Sequence, residues 1–374
     1  MECVATCAFG LEAVVRRELE ALGINVLATE NGRVRFPFTS DNLVRANVHL
    51  RVAERIFIIL GEQENVTTYD ALFDFVRTLE LTSCFAPEDR FVMLANSVKS
   101  TLYSPRDMQS IGKKALVDNI KAATGCHELL ENGPTRTLTL ELRNNHVGLW
   151  LDTTGAPLHK RGYRLNQGDA PLRETLAAAL VSLSFYGPNR TLYDPFCGSG
   201  TVVIEAAMMA KNIAPGLNRS FAFETLRCID KSVLKHTRRE ALRAIDHATP
   251  LRIIGTDINP KMVAIAKENA AEAGVEDAIV FNVSDVRAMR FDDYAVIITN
   301  PPCGDRLNDP QEADALHEAL GQLMKKHATC SYYVYTALPG AEQRFKRKAD
   351  RTRVLFNGPI KARYYQYYGP KPGS

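Results

Sequence analysis

The sequence predicts an α/β protein: a parallel sheet covered on both faces by helices, preceded by a half of mixed α+β character. Three observations predict it. After Ala170 short apolar runs alternate with helix-period stretches, the pattern of strands buried on both faces. Before Gly155 the strand-like runs instead alternate apolar and polar, and two of them are joined by tight-turn dipeptides. The charge divides at the same place: the net +3 of the 374 residues is −4 over 1–155 and +7 over 156–374.

Composition sets the outer limits. At 374 residues, 45% hydrophobic and 24% charged, the chain is long enough for two or three domains of roughly 100 to 200 residues each. The near-neutral balance excludes an acidic halophile-like surface and a uniformly basic coat. No apolar run approaches the roughly 18 residues of a membrane span, and the start carries Glu2 and Glu12 with no basic segment ahead of its apolar stretch. A soluble, cytoplasmic protein is expected. Eight cysteines are scattered with no CxxC pair and no His at ligand spacing, which argues against zinc, against any other metal site and against a disulfide scaffold.

In chain order, 9–22 carries a helical apolar stripe (Leu11, Val14, Val15, Leu19, Leu22) that Gly23 stops. Two strands follow, joined through Asn31-Gly32 as a tight hairpin; then come a helix with Asp41 as its N-cap and the strand FIILGEQEN. The next stretch reads helix (YDALFDFVRTLE), strand (RFVMLANSVKS), helix (PRDMQSIGKKALVDNIKAAT) and two alternating strands that turn at Asn144-Asn145. GAPLHKRGYRLNQG, polar and Gly-rich, reads as a linker. The second half begins with the helix APLRETLAAALVSLSF. Strands LYDPF, LRIIGTD, AIVFNVSD and YAVIITNPP follow with helices GTVVIEAAMMAKN and PKMVAIAKENAAEAG between them, and CSYYVYTA with two final runs adds a strand and a hairpin.

The first candidate site is the turn after LYDPF. Gly198-Ser199-Gly200 joins a strand to a helix outside the strand's carboxyl end, where open α/β sheets bind ligands. The glycines admit a ligand close to the backbone, and the helix beginning near Thr201 directs free N–H groups at it. No Lys follows, so the turn is not a triphosphate loop. Two later strands end in Asp257 and Asp285, placed for ribose hydroxyls and for an adenine amino group, and LYDPF carries Asp194. Capping the next turn is the alternative role of each Asp.

The strand YAVIIT stops on Asn300-Pro301-Pro302. Prolines terminate strands routinely, but here they also fix the backbone so that the Asn300 side-chain oxygen and the Pro301 carbonyl face one point. Two acceptors there hold both N–H groups of an exocyclic amine and turn its lone pair toward an electrophile. A planar amine on a base is a weak nucleophile, so orientation and a place for developing positive charge carry the chemistry.

Together DPFCGSGT, GTDINP and NPPCGDR resemble the S-adenosylmethionine-dependent amino-methyltransferases with an Asn/Asp-Pro-Pro-aromatic motif. With GAPLHKRGYR and APLRETLAAAL they are similar to bacterial 23S ribosomal RNA guanine-N2 methyltransferases carrying a THUMP domain. The resemblance implies a ferredoxin-like subdomain (1–60), a THUMP RNA-binding domain (61–155), a linker (156–170) and a Rossmann-like methyltransferase domain (171–374). It implies S-adenosylmethionine as cofactor, held by Asp194, Phe196, Gly198, Gly200 and Thr201 around the methionine moiety. Asp257 would hold the ribose, with Ile258, Asp285 and Val286 about the adenine and Asn300 at the shared edge. Asn300, Pro301, Pro302 and Cys303 form the catalytic turn.

Cys303 departs from that family, whose motif places Tyr or Phe there to stack on the flipped base. A thiol has no π face, and base–aromatic stacking is worth roughly 1 to 3 kcal/mol. Tyr163, Phe196, Tyr335 and Tyr364 are candidates to replace it. Cys303 also admits a rival chemistry, attack on C6 of a pyrimidine as in RNA C5-methyltransferases. Those resemble this chain less, since they carry Asp before the motif. Transfer RNA in place of ribosomal RNA, an RNA-binding protein with an inactive methyltransferase half, and a glutamine-amide methyltransferase complete the alternatives. For RNA contact the basic segments single out Lys160, Arg161 and Arg306, with Lys99 and Arg106 in the first half and the run RFKRKADRTR near the end. An acidic first half favours shape recognition of a folded RNA over a broad electrostatic grip.

Overall fold

A computed structural model describes residues 1–164, 172–303 and 310–371. In the first half, β1 (Glu2–Thr6) leads to α1 (Glu12–Ala21), β2 (Ala28–Glu30), β3 (Arg33–Pro37), α2 (Ser40–His49), β4 (Arg55–Gln63), α3 (Tyr69–Thr78), β5 (Arg90–Val98), α4 (Pro105–Thr124), β6 (Thr135–Arg143) and β7 (His146–Asp152). The strands form one sheet in the order β2-β3-β1-β4-β7-β6-β5, antiparallel except for the β5/β6 pair. The boundary expected at residue 60 falls inside β4, whose neighbours β1 and β7 come from either side of it. At the Asn144-Asn145 turn both residues have positive φ, +51° and +63°, as a two-residue hairpin requires. At the first hairpin only Gly32 does, at +76°. The N-cap of α2 is Thr39, accepting from the Asn42 amide at 3.0 Å, rather than Asp41.

The second half runs α5 (Glu174–Ser182), β8 (Leu192–Asp194), α6 (Thr201–Ala210), α7 (Lys231–Arg243), β9 (Ile253–Asp257), α8 (Pro260–Glu272), β10 (Ile279–Val283), β11 (Val296–Thr299), α9 (Pro310–Lys326), β12 (Ser331–Thr336), α10 (Ala341–Phe345), β13 (Arg351–Asn357) and β14 (Ile360–Tyr367). The sheet order is β10-β9-β8-β11-β12-β14-β13: five parallel strands, then β14 antiparallel to β12 with β13 hairpinned on it. The strand order reverses between β8 and β11, so the ends of β8, β9 and β11 form the crevice of a doubly wound sheet. Apart from Thr201 and Glu205 the buried residues of α6 are apolar, Val202, Val203, Ile204, Ala206 and Ala207 among them, which seats the helix against the sheet directly behind the glycine turn.

The halves share one continuous core. Polar contacts cross between them: Arg136, paired within the first half to Asp89 at 3.0 Å, donates to Thr225, and Arg51 donates to the Ile213 carbonyl. A disulfide joins Cys84 to Cys228 across the same junction. Spacing gave no sign of that pair, because its members lie 144 residues apart. The described part of the segment read as a linker, 156–164, is also built in. Leu158, Arg161 and Tyr163 are buried, and Arg161 and Tyr163 both reach Glu205 in the middle of α6, at 3.3 and 3.1 Å.

Candidate active site

The glycine turn forms as its sequence requires. Gly198 and Gly200 have φ of +51° and +84°, the left-handed region that costs other residues, and Gly200 is the N-cap position of α6. A Cβ at Gly200 would lie 3.1 Å from Ala266 Cβ and from Ile204 Cδ1, so a side chain there is crowded as well as strained. Cross-strand contacts hold the loop: the Cys197 amide donates to the Thr256 carbonyl at 2.8 Å, and Asn269 donates to the Ser199 carbonyl at 3.0 Å.

Two carboxylates set the electrostatics. Asp257, at the tip of β9, accepts from the Gly198 amide at 3.0 Å and from the Asn259 amide at 2.9 Å, which ties the ends of β8 and β9 together. Asp194 is 2% exposed and accepts from the Thr299 hydroxyl at 2.6 Å and from the Phe196 amide at 3.1 Å. No cation pairs with it among the described residues. Burial pushes its carboxyl up to about 7, against the pull of those two hydrogen bonds, and the Asp257 charge adds to the rise. The crevice is therefore short of positive charge, and a ligand carrying an ammonium group supplies what it lacks.

Thr299 connects this crevice to the Asn300-Pro301-Pro302 turn. It is the last residue of β11, fully buried, and its hydroxyl fixes Asp194 immediately before the chain reaches Asn300. Pro301 is buried; Asn300, Pro302 and Cys303 are half-buried. Ile258 follows Asp257 with 67% of its surface exposed, an apolar side chain standing at the mouth of the crevice. Asp285 accepts from the Arg287 amide at 2.8 Å and pairs with its guanidinium at 3.1 Å, so the capping role foreseen for it is present; Val286 beside it is buried. The Thr201 hydroxyl accepts from Arg164, which also pairs with Glu174 at 3.4 Å, so that side chain is turned toward the protein and only the helix amide remains for a ligand.

Several expected residues take other roles. Arg161 is 2% exposed and ion-paired to Glu205, so it contacts no phosphate; its charge serves the joint between the halves. Lys99, Arg106 and Lys160 are exposed, and Arg306 lies outside the described residues. Of the four aromatics considered for base stacking, Tyr163 and Tyr364 are core residues whose hydroxyls are committed to Glu205 and to the Leu180 carbonyl, and Tyr335 is 3% exposed. Only Phe196 keeps part of its ring at the surface, beside the crevice. In the C-terminal run Arg344 is committed to Asp314 at 3.0 Å. Sequence reading also passed over α7, where Lys231, Lys235 and Arg239 recur every four residues, exposed and without ion pairs among the described residues. That spacing was the signal available for finding them. Among the described residues no group of three His, Cys, Asp or Glu gathers as a metal site, and no helix is long and apolar enough to cross a membrane.

Residues 161–366 match the family described as the RMKL-like methyltransferase domain. The chain belongs to that family. Residues 2–57 of this methyltransferase match the RlmL ferredoxin-like domain. It is 40% identical to "Putative RNA methyltransferase YpsC" of Bacillus subtilis, over 98% of this chain and 95% of that protein. It is 32% identical to the ribosomal RNA large subunit methyltransferase K/L of Photobacterium profundum, over 94% of this chain and 50% of that protein, so it spans half of that relative's length. Among solved structures, SMU.472, a methyltransferase complexed with SAH, superposes with a TM-score of 0.92 at 38% identity, covering 99% of this chain and 98% of that one. A protein from Listeria monocytogenes described as a predicted N6-adenine-specific DNA methylase superposes with 0.93 at 42% identity, covering 99% and 96%.

Proposed function

We propose that this methyltransferase transfers a methyl group from S-adenosylmethionine to the exocyclic N2 of a guanine in 23S ribosomal RNA, with residues 61–155 serving as a THUMP-type RNA-binding part. The crevice fits the cofactor on its own chemistry: Asp194 is a buried carboxylate without a cation, Gly198 and Gly200 leave the backbone open, and Ile258 offers an apolar face for the adenine. When bound, the cofactor supplies an electrophilic methyl on a sulfonium. Asp194 pairs with its ammonium, Asp257 accepts from its ribose hydroxyls, and the first amides of α6 face its carboxylate. The single observation that carries the guanine assignment is the Asn300-Pro301-Pro302 turn, joined to Asp194 through Thr299. In this reading the Asn300 side chain and the Pro301 carbonyl accept the two N–H groups of the amine, direct its lone pair at the methyl and stabilise the positive charge that develops on nitrogen.

The relatives support RNA as the substrate class, since one is named for RNA and another for large-subunit ribosomal RNA. Ribosomal over transfer RNA rests on the second name. The test is mass analysis of nucleosides from 23S ribosomal RNA methylated in vitro by the purified protein. N2-methylguanosine is the expected product. N6-methyladenosine would assign the same acceptor pair to adenine, and a 5-methylpyrimidine would assign the chemistry to Cys303.

A further inference from the structure

Beyond the crevice and the catalytic turn, the same edge of the sheet carries a cleft of about 440 Å³, lined among others by Thr336, Leu338, Gln343, Lys361, Arg363 and Tyr365. Strand register places it. Thr299, the last residue of β11, pairs with Val334, and Thr336, two residues further along β12, pairs with Arg363 of β14, so the cleft opens off the same strand ends as the turn that follows Thr299. Two strand spacings, about 10 Å, thus separate the catalytic turn from Arg363, a span within one nucleotide's reach. The cleft lies in the size range of small-molecule sites, roughly 300 to 1,000 Å³.

Its charge is the second observation. Lys361 and Arg363 are exposed and their side chains make no hydrogen bond or ion pair among the described residues, whereas Arg344 and Arg347 nearby in sequence are both engaged. Glu342, which also lines the cleft, is occupied by the Ala349 amide at 2.8 Å. The floor is rigid: Thr336 is buried and bound at 2.9 Å by His317, which is itself held by the Ala313 carbonyl at 2.7 Å. Two unpaired cations over a fixed wall, one nucleotide from the methyl-transfer point, suit a phosphodiester. They also bear on the loss of stacking at Cys303, because an anchored backbone helps to position a flipped base where the motif itself supplies no aromatic.

We propose that this cleft holds the nucleotide adjoining the target base, with Lys361 and Arg363 binding its phosphate. The inference rests on the proposed function only in taking RNA as the substrate. The test compares wild type, the double variant K361A/R363A and the conservative pair K361R/R363K on a 23S ribosomal RNA transcript. It measures KM for RNA, kcat, salt dependence of RNA binding and SAH affinity. The alanine pair is expected to raise KM roughly tenfold and to flatten the log–log salt dependence by about 0.7 for each single-strand phosphate that is no longer neutralised. SAH affinity and kcat should stay at wild-type values, and the conservative pair should keep most of the affinity. An unchanged KM, a raised KM with unchanged salt dependence, or loss of SAH binding each overturns the inference, the last by showing a structural role. A wild-type product other than N2-methylguanosine, with the salt effect intact, would instead refute the guanine assignment and leave the cleft in place.

Discussion

With Asp194 in the proposed cofactor site, SAH binding should depend on pH, and the sign follows from the burial of that carboxyl. With its carboxyl raised to about 7, ligand-free protein at pH 5 holds it almost wholly neutral. The methionine ammonium pairs with the ionised form, so SAH binding releases a proton below the shifted pKa. Apparent affinity should then rise tenfold per pH unit up to about 7 and level off above, a change of about 100-fold between pH 5 and the plateau, or roughly 2.7 kcal/mol. Calorimetric titration of SAH from pH 5 to 8 reads this directly. Asp194→Asn removes the titrating group, so its affinity should be flat with pH over this range and about 10- to 100-fold below the wild-type plateau, the worth of a charge-assisted hydrogen bond of about 1.5 to 3 kcal/mol. Stability gives an independent check. The unfolded chain ionises near 3.8 and the folded one near 7, so the contribution of Asp194 to ligand-free stability is full below about 4 and is lost as pH rises to about 7. The asparagine variant lacks that loss. Wild-type SAH affinity that does not change between pH 5 and 8, or an asparagine variant that binds like wild type, would refute the reasoning.

Asn300→Ala should lower kcat by about 10²- to 10³-fold, the usual cost of removing one positioned partner of a developing charge, with SAH affinity unchanged in the same titration. Gly200→Ala meets Ala266 and Ile204 at 3.1 Å with φ at +84°, and urea unfolding should show a loss of about 1 to 3 kcal/mol. Arg161→Ala leaves the buried Glu205 without its ion-pair partner, held by the Tyr163 hydroxyl; it should cost about 3 to 5 kcal/mol by the same measurement, a loss that a phosphate-contacting surface arginine would not show. Cys303→Ser should retain methyl transfer to RNA in a filter assay, since the amine mechanism uses no thiol; complete loss of transfer in a variant that still binds SAH points to the C5 chemistry.

What was legible in the sequence was what is written locally. Asp194, Asp257 and Asn300 each stand where an apolar run stops, and Gly198 and Gly200 form the turn that follows the first of these, so a reading of strand ends alone brings them to one edge of one sheet. The structure adds the hydrogen bonds that join them, Gly198 to Asp257 and Thr299 to Asp194. Thr299 went unremarked because its value depends on a neighbour 105 residues away. Arg161 was misread for the same reason. In sequence it belongs to an exposed-looking basic run, and only the approach of α6 shows that Glu205 neutralises it. The Cys84–Cys228 pair, 144 residues apart, is the extreme case. Local signals also went unread: β1 is only five residues long, and α9 carries a buried stripe of Ala313, Leu316, Leu320 and Leu323 at helical spacing. The Asp41 cap failed because Thr39, two residues earlier, was an equally good acceptor.

The central claim is that an acceptor pair at Asn300 and Pro301 presents a guanine amine to a methyl donor bound over Asp194. Its most direct test is the nucleoside composition of 23S ribosomal RNA, taken from a strain lacking this protein and incubated with the purified protein and S-adenosylmethionine. The account predicts one new N2-methylguanosine in the wild-type reaction and none with Asn300→Ala. Methyl on adenine or on a pyrimidine carbon, or N2-methylguanosine formed undiminished by the Asn300→Ala variant, would contradict it.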